Sequence, residues 1–191
     1  MQQHKARMFS TRARVVASAA AVAAVGAGVV GAVSAAADTP AAPPAAPVAA
    51  VKTKATTTSD HLTVEAAARA AQAALQAAGK EGQRVSVAVV DRDGNTLVTL
   101  RGDGAGPQSY ESAIKKAYTA VSWNAPTSQL VERLKAAPTL KDIPGTLFLA
   151  GGAPVAYGNA PIAGVGVAGA PSGDLDEKFA RAGIAAISDG R

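Results

Sequence analysis

The stretch RVSVAVVDRDGNTLVTLR, residues 84–101, decides how the chain folds. From Arg84 to Asp91 the residues alternate, with Val85, Val87 and Val89 on one side and Ala88 and Val90 on the other. Both sides are apolar, which predicts a strand covered on both faces rather than one open to water. Asp91-Arg92-Asp93-Gly94-Asn95 has turn chemistry, and Thr96 to Arg101 supplies a return strand. Two such runs joined so closely form a hairpin.

Outward from the hairpin, the same reading gives alternating layers. Upstream, Thr63 is placed to cap a helix, Glu65 suits its positive end and Gly79 is placed to close it. Val64, Ala67, Ala68, Ala71 and Leu75 recur there at helical spacing. Downstream, a glycine-rich loop, residues 102–107, leads to a helix capped near Ser109 and running to about Trp123. Its expected buried stripe is Tyr110, Ile114, Ala117, Tyr118 and Val121. After Pro126 a short helix runs from Thr127 or Ser128 through Ala136, where Pro138 ends it. Three strands are then predicted, at 146–150, 154–157 and 162–168, followed by a helix from Asp174 bearing Leu175, Phe179, Ala182 and Ile184. Hairpin-length connections dominate, so the expectation is an α+β domain with a mostly antiparallel, five-stranded sheet packed with helices.

Before residue 61 the composition changes. Residues 1–14 hold Lys5, Arg7, Arg12 and Arg14 and no acid, residues 15–33 are apolar and uncharged, and Ser34-Ala35-Ala36-Ala37 offers an A-x-A cleavage pattern. That order describes a secretory signal peptide over 1–37. The apolar run approaches the length of a membrane span, yet Ala and Gly are weak membrane formers and no charge cluster follows. Residues 38–60, with Pro40, Pro43, Pro44 and Pro47, have no hydrophobic period and read as an extended linker. The folded domain is therefore placed at 61–191, and the protein outside the cytoplasm, secreted or at the cell surface.

The formal net charge is +5, but the leader holds four of the 19 basic residues, leaving 15 against 14 acidic ones. A nucleic-acid partner is not expected from so balanced a chain. Cysteine is absent, which excludes disulfides, a lipid anchor on Cys and thiolate metal sites. Both methionines, Met1 and Met8, and one of the two histidines, His4, belong to the leader, so His61 is the domain's only imidazole.

Several motifs have ordinary explanations. Gly164-Val165-Gly166-Val167-Ala168-Gly169 has the letters of a dinucleotide loop, but it lies in a strand pattern, with Pro171 where a helix should open. Close backbone packing in a covered sheet explains those glycines. Asp91, Asp93 and Asn95 lack the glycine position and downstream Glu of a calcium loop. No G-x-S-x-G nucleophile elbow is present. Glu111 and Lys115 form an i, i+4 pair with Lys116 beside them, a pattern of a solvated helix face.

Taken in order, the blocks VVDRDGNTL (89–97), RGDGA (101–105), SAIKKAYTA (112–120), GGAP (151–154), GVGVAGA (164–170) and DLDE (174–177), with Ala180 and Gly183, resemble the GlcG/HbpS haem-binding family, also called the haem-degrading domain family. The resemblance covers about Leu62 to the C-terminus, and the export signal makes the chain similar to the secreted, HbpS-like members. It implies a profilin-like fold, a homo-oligomer and haem as cofactor, with haem degradation, iron release or redox sensing in some members. Secreted members also resemble partners of a membrane sensor kinase, and relatives fused to corrinoid enzymes leave open a module without haem chemistry. With Cys and Met absent from the domain, the ordinary axial ligands are His61, Tyr110, Tyr118 and Tyr157. His61 precedes the first family block, where secreted relatives look similar in having a His, and Thr146 resembles a Thr of those relatives. The resemblance thus assigns His61, Thr146, Lys116 and Tyr118 to haem, and His61, Thr146 and Glu111 to metal. Some secreted relatives carry Glu-x-x-Glu on this helix, whereas Ile114 stands at the second position here.

Overall fold

A computed structural model describes residues 49–188. The expected leader, the linker as far as residue 48 and the last three residues lie outside the described residues. Residues 49–60 are exposed, with a single 3-10 turn at Thr53–Ala55. The domain then follows as α1 (Val64–Lys80), β1 (Ser86–Asp91), β2 (Thr96–Arg101), α2 (Pro107–Trp123), α3 (Thr127–Arg133), β3 (Gly152–Tyr157), β4 (Ala160–Ala168) and α4 (Gly173–Ala185). No helix among the described residues is long and apolar enough to cross a membrane.

The α+β class is as expected, but the sheet has four strands rather than five, in the order β2-β1-β4-β3 and antiparallel throughout. The missing strand is 146–150. Its backbone donors are spent elsewhere: Thr146 N–H reaches Ile143 O, and Leu147 N–H reaches Thr119 Oγ1 on α2 at 2.8 Å. Phe148 turns inward against Ala125 and Leu130 and meets Trp123 edge-on, 5.2 Å between ring centres. Phe148 thus serves as an anchor in the α2–α3 corner, a use that strand periodicity does not distinguish from a ladder.

The two faces of β1 bury different partners. Val85, Val87 and Val89, with Val165 and Val167 of β4, pack against Ala67, Ala70, Ala71 and Ala74 of α1 and Phe179 of α4. Thr63 caps α1, its Oγ1 accepting from Ala66 N–H at 3.2 Å. The helix passes Gly79 and ends at Lys80, and its stripe is rotated from expectation, leaving Val64 exposed. On the other face, Ala88 packs with Ala113, and Val90 with Ala117 and Val121 of α2.

Helix α2 lies directly on the backbone of β4. A Cβ on Gly166 would collide with the Ala113 carbonyl oxygen and come within 2.5 Å of Ala117 N, and one on Gly164 would strike the Ala117 carbonyl. The GVGVAG run is therefore a helix-docking surface. Helix α2 begins at Pro107, with Gly106 as its cap. Ser109, expected as the cap, is instead buried and hydrogen-bonded to Ser86 Oγ at 2.8 Å.

Gly166→Ala is expected to cost about 3 kcal/mol, since neither helix nor sheet can yield. Gly158→Ala, in a turn with open space and φ of 59°, costs only the left-handed penalty of about 1 kcal/mol. Urea midpoints measure both, and equal losses would show that α2 does not rest on the strand.

Candidate functional site

Strand β1 ends in Asp91, whose carboxylate organises the turn after it. Asp91 Oδ1 accepts the backbone N–H of Asp93 at 2.9 Å and of Asn95 at 2.8 Å, and Oδ2 accepts from Asn95 Nδ2 at 3.1 Å. Burial works to raise its pKa, but the hydrogen bonds from Asn95 and Asp93 outweigh it and hold the carboxyl below its ordinary 3.8. The turn's other support is Tyr118 of α2. Gly94, at φ 90°, lies so close to that ring that a Cβ would come within 2.9 Å of Cε2.

The turn presents Asp93 to His61. His61 Nδ1 lies 3.7 Å from Asp93 Oδ2, and Ser59 Oγ lies 2.9 Å from Nε2. His61 sits two residues before α1, where Leu62 packs against the core and Thr63 begins the cap. One ligand atom each from His61, Asp91 and Asp93 falls within 4.8 Å of the others, so a nitrogen and two carboxylates meet at one end of β1. Sequence reading treated the two aspartates as turn formers and the histidine as a separate residue. No spacing rule links positions 61 and 93, because the hairpin and α1 must be packed before they meet.

The sequence-assigned residues divide into three places. Tyr118, half-buried, faces Gly94 on one side and Gly145 on the other, which brings it beside both the aspartate turn and the loop carrying Thr146. Thr146 Oγ1 donates to Ile143 O at 2.8 Å. His61, Tyr118 and Thr146 thus follow one another through successive neighbours at one end of the sheet. Glu111 is exposed and pairs with Lys115 at 3.6 Å, two turns up α2 from Tyr118.

Lys116 lies toward the opposite end. It is 2% exposed, and its Nζ donates to Val167 O at 3.0 Å and to Asp176 Oδ2 at 2.8 Å. Asp176 Oδ1 accepts from Ala170 N–H at 3.0 Å. Burial pushes the Asp176 carboxyl up, with Lys116 opposing that rise. The pair lines a cleft of about 330 Å³ that Ser109, Ser112 and Ser172 also border. Val167 pairs with Val87 and Ala163 with Asp91, so this cleft and His61 sit at opposite ends of β1.

The profile of the HbpS-like haem-degrading proteins matches residues 62–185. The chain belongs to that family. Among solved structures, a double mutant of Streptomyces reticuli HbpS is 71% identical, with a TM-score of 0.74, and covers 77% of this chain and 100% of its own. Protein ORFY of Klebsiella pneumoniae is 26% identical with a TM-score of 0.67, covering 74% of this chain and 100% of its own. PduOC, solved as a haem complex, is 28% identical with a TM-score of 0.63, covering 69% of this chain and 98% of its own. No curated protein matches the chain at a significant level. Family membership ties the fold to haem proteins, while the HbpS-like profile begins at Leu62, one residue after the histidine.

Lys116→Met strands the buried Asp176 carboxylate and is expected to cost about 3–5 kcal/mol in urea unfolding. Adding Asp176→Leu to that variant should recover much of the loss, because the uncompensated charge goes with it. Asp91 gives a pH signature of opposite origin. Its carboxyl titrates lower folded than unfolded, so its stabilisation is present above pH 3.8 and is lost as pH falls through the folded value. Asp91→Asn should therefore lower stability at neutral pH and flatten the acid limb of a stability-against-pH curve.

Proposed function

We propose that this protein binds haem with His61 as its axial ligand, outside the cytoplasm. The observation that carries the reading is His61 itself. It is the only histidine among the described residues of a chain without cysteine, it is half-exposed, and a carboxylate sits beside its Nδ1 while Nε2 meets only a hydroxyl. An imidazole so placed fits the donor chemistry that ferric iron takes from proteins. Membership in a family of haem-degrading proteins and similarity to a protein solved with haem support the same ligand. Bound haem would supply a redox-active iron.

The chain's own residues then take separate roles. His61 would hold iron, and Tyr118 with Thr146 would border the group from α2 and the 143–150 loop. Tyr118 packs under Gly94, which keeps the aspartate turn in place beside the ligand. Lys116 acts from a distance by fixing α2, since both its polar partners are within the fold. Glu111, exposed on α2, already pairs with Lys115, and Ile114 gives it no second carboxylate one turn on.

Export through the 1–37 leader would place the domain where free haem and oxidants occur, suiting it to scavenging haem or iron, degrading haem, or reporting redox stress to a membrane sensor kinase. The family resemblance also implies a homo-oligomer. The second reading is an oligomeric receptor-binding or corrinoid-related module without haem chemistry.

A visible-absorbance titration with haemin separates the two. Residues 51–191 suit it, because the crystallised HbpS relative corresponds over its whole length to about three quarters of this chain. A saturable Soret shift is expected, weakened about tenfold or more by His61→Ala and less by Thr146→Ala. Absence of any saturable shift overturns the haem reading in favour of the receptor-binding module.

A further inference from the structure

The aspartate turn adds a residue whose role neither composition nor family membership assigns. Asp93 Oδ2 lies 3.7 Å from Nδ1 of His61, an electrostatic contact just beyond hydrogen-bond length, on the side of the ring away from the nitrogen that Ser59 meets. A neutral imidazole has one protonated nitrogen, and a carboxylate attracts that proton to its own side. Ser59 Oγ, 2.9 Å from Nε2, is compatible with that tautomer and with the opposite one, since a hydroxyl donates to a bare nitrogen or accepts from a protonated one. Ser59 lies in an exposed segment, so its hydroxyl is the group that an incoming ligand atom would displace from Nε2.

Asp93 is itself held firmly for an exposed residue. Its backbone N–H is tied to Asp91 Oδ1, Asn95 closes the same carboxylate, and Tyr118 packs beneath Gly94. Asp91 is 8% exposed and has both oxygens engaged within the turn, so it builds the platform while Asp93 faces the ring. On the other side, His61 is anchored by Leu62 in the core and by the cap of α1. Two rigid elements therefore set the ring against the carboxylate.

We propose that Asp93 is a positioning residue that keeps the Nδ1 proton of His61 and so presents Nε2 as the iron ligand. The inference deepens the haem reading above and rests on it for the identity of the metal. A carboxylate behind the ring makes the imidazole a stronger donor and stabilises ferric over ferrous iron.

Nitrogen-15 NMR of residues 51–191, in which His61 is the single imidazole, tests the tautomer without haem. Neutral His61 should carry its proton on Nδ1, and Asp93→Ala should return it to the Nε2–H form usual for free imidazole. With haemin, Asp93→Ala should weaken binding about tenfold or more and raise the ferric/ferrous midpoint potential. The urea midpoint should hardly move, since the side chain of Asp93 is 59% exposed. An unchanged tautomer in Asp93→Ala overturns the proposal whatever haem does. A shifted tautomer with wild-type haemin affinity and potential overturns the role toward iron. Wild-type haemin binding by His61→Ala would instead sink the ligand assignment, a failure the haem-free spectra keep separate.

Discussion

Lys116 leaves the middle of α2, meets the carbonyl of Val167 on β4 and ends on Asp176 in the first turn of α4. One ammonium joins three elements that come from distant parts of the sequence. The pair need not add much net stability, because burying both charges costs nearly what their attraction returns. Its effect is on specificity. Helix α2 lies on β4 over Gly164 and Gly166, where a Cβ would collide with its backbone, and the ion pair adds a polar constraint to that fit. A slide of α2 would leave Lys116 and Asp176 buried without partners, so the ion pair selects one register. Everything α2 carries, including Tyr118 beneath the aspartate turn, is placed by that register.

The hairpin over 84–101, the covered faces of β1, the α2 boundary at Trp123 and the packing role of the GVGVAG glycines were legible because each depends on neighbours in sequence. Period-2 alternation reports two buried faces wherever the strand ends up. The 146–150 segment was misread for the opposite reason. Leu147-Phe148-Leu149 has strand composition, but its fate is set by Thr119 and by a pocket between Trp123 and Leu130, all supplied by other elements. Lys116 escaped in the same way. Beside Glu111 and Lys115 it looked like a third surface charge, and only Asp176, sixty residues on, makes a buried lysine tolerable.

The candidate site shows a similar division. His61 stood out from composition, since an inventory of cysteine, methionine and histidine needs no structure. Its neighbours did not. Asp91 and Asp93 satisfy every rule for a hairpin turn, and that reading is correct as far as it goes: Asp91 spends its oxygens on the turn. What the turn accomplishes beyond closing a hairpin depends on α1 packing across the sheet so that position 61 arrives beside position 93.

The two ends of β1 therefore serve different purposes. At the Val87 end, charges are buried, paired and joined to backbone groups, an arrangement that resists change. At the Asp91 end, Asp93 on the hairpin turn and His61 just before α1 remain half-exposed side by side, and the hydroxyl of Ser59 lies against Nε2. A ligand site needs that second combination. Rigidity of the turn limits the reorganisation that binding requires, while exposure leaves Nε2 within reach of a group too large to enter the core. Placing the imidazole where the linker meets the domain achieves both, because the only atom to be displaced belongs to a segment with no buried contacts of its own.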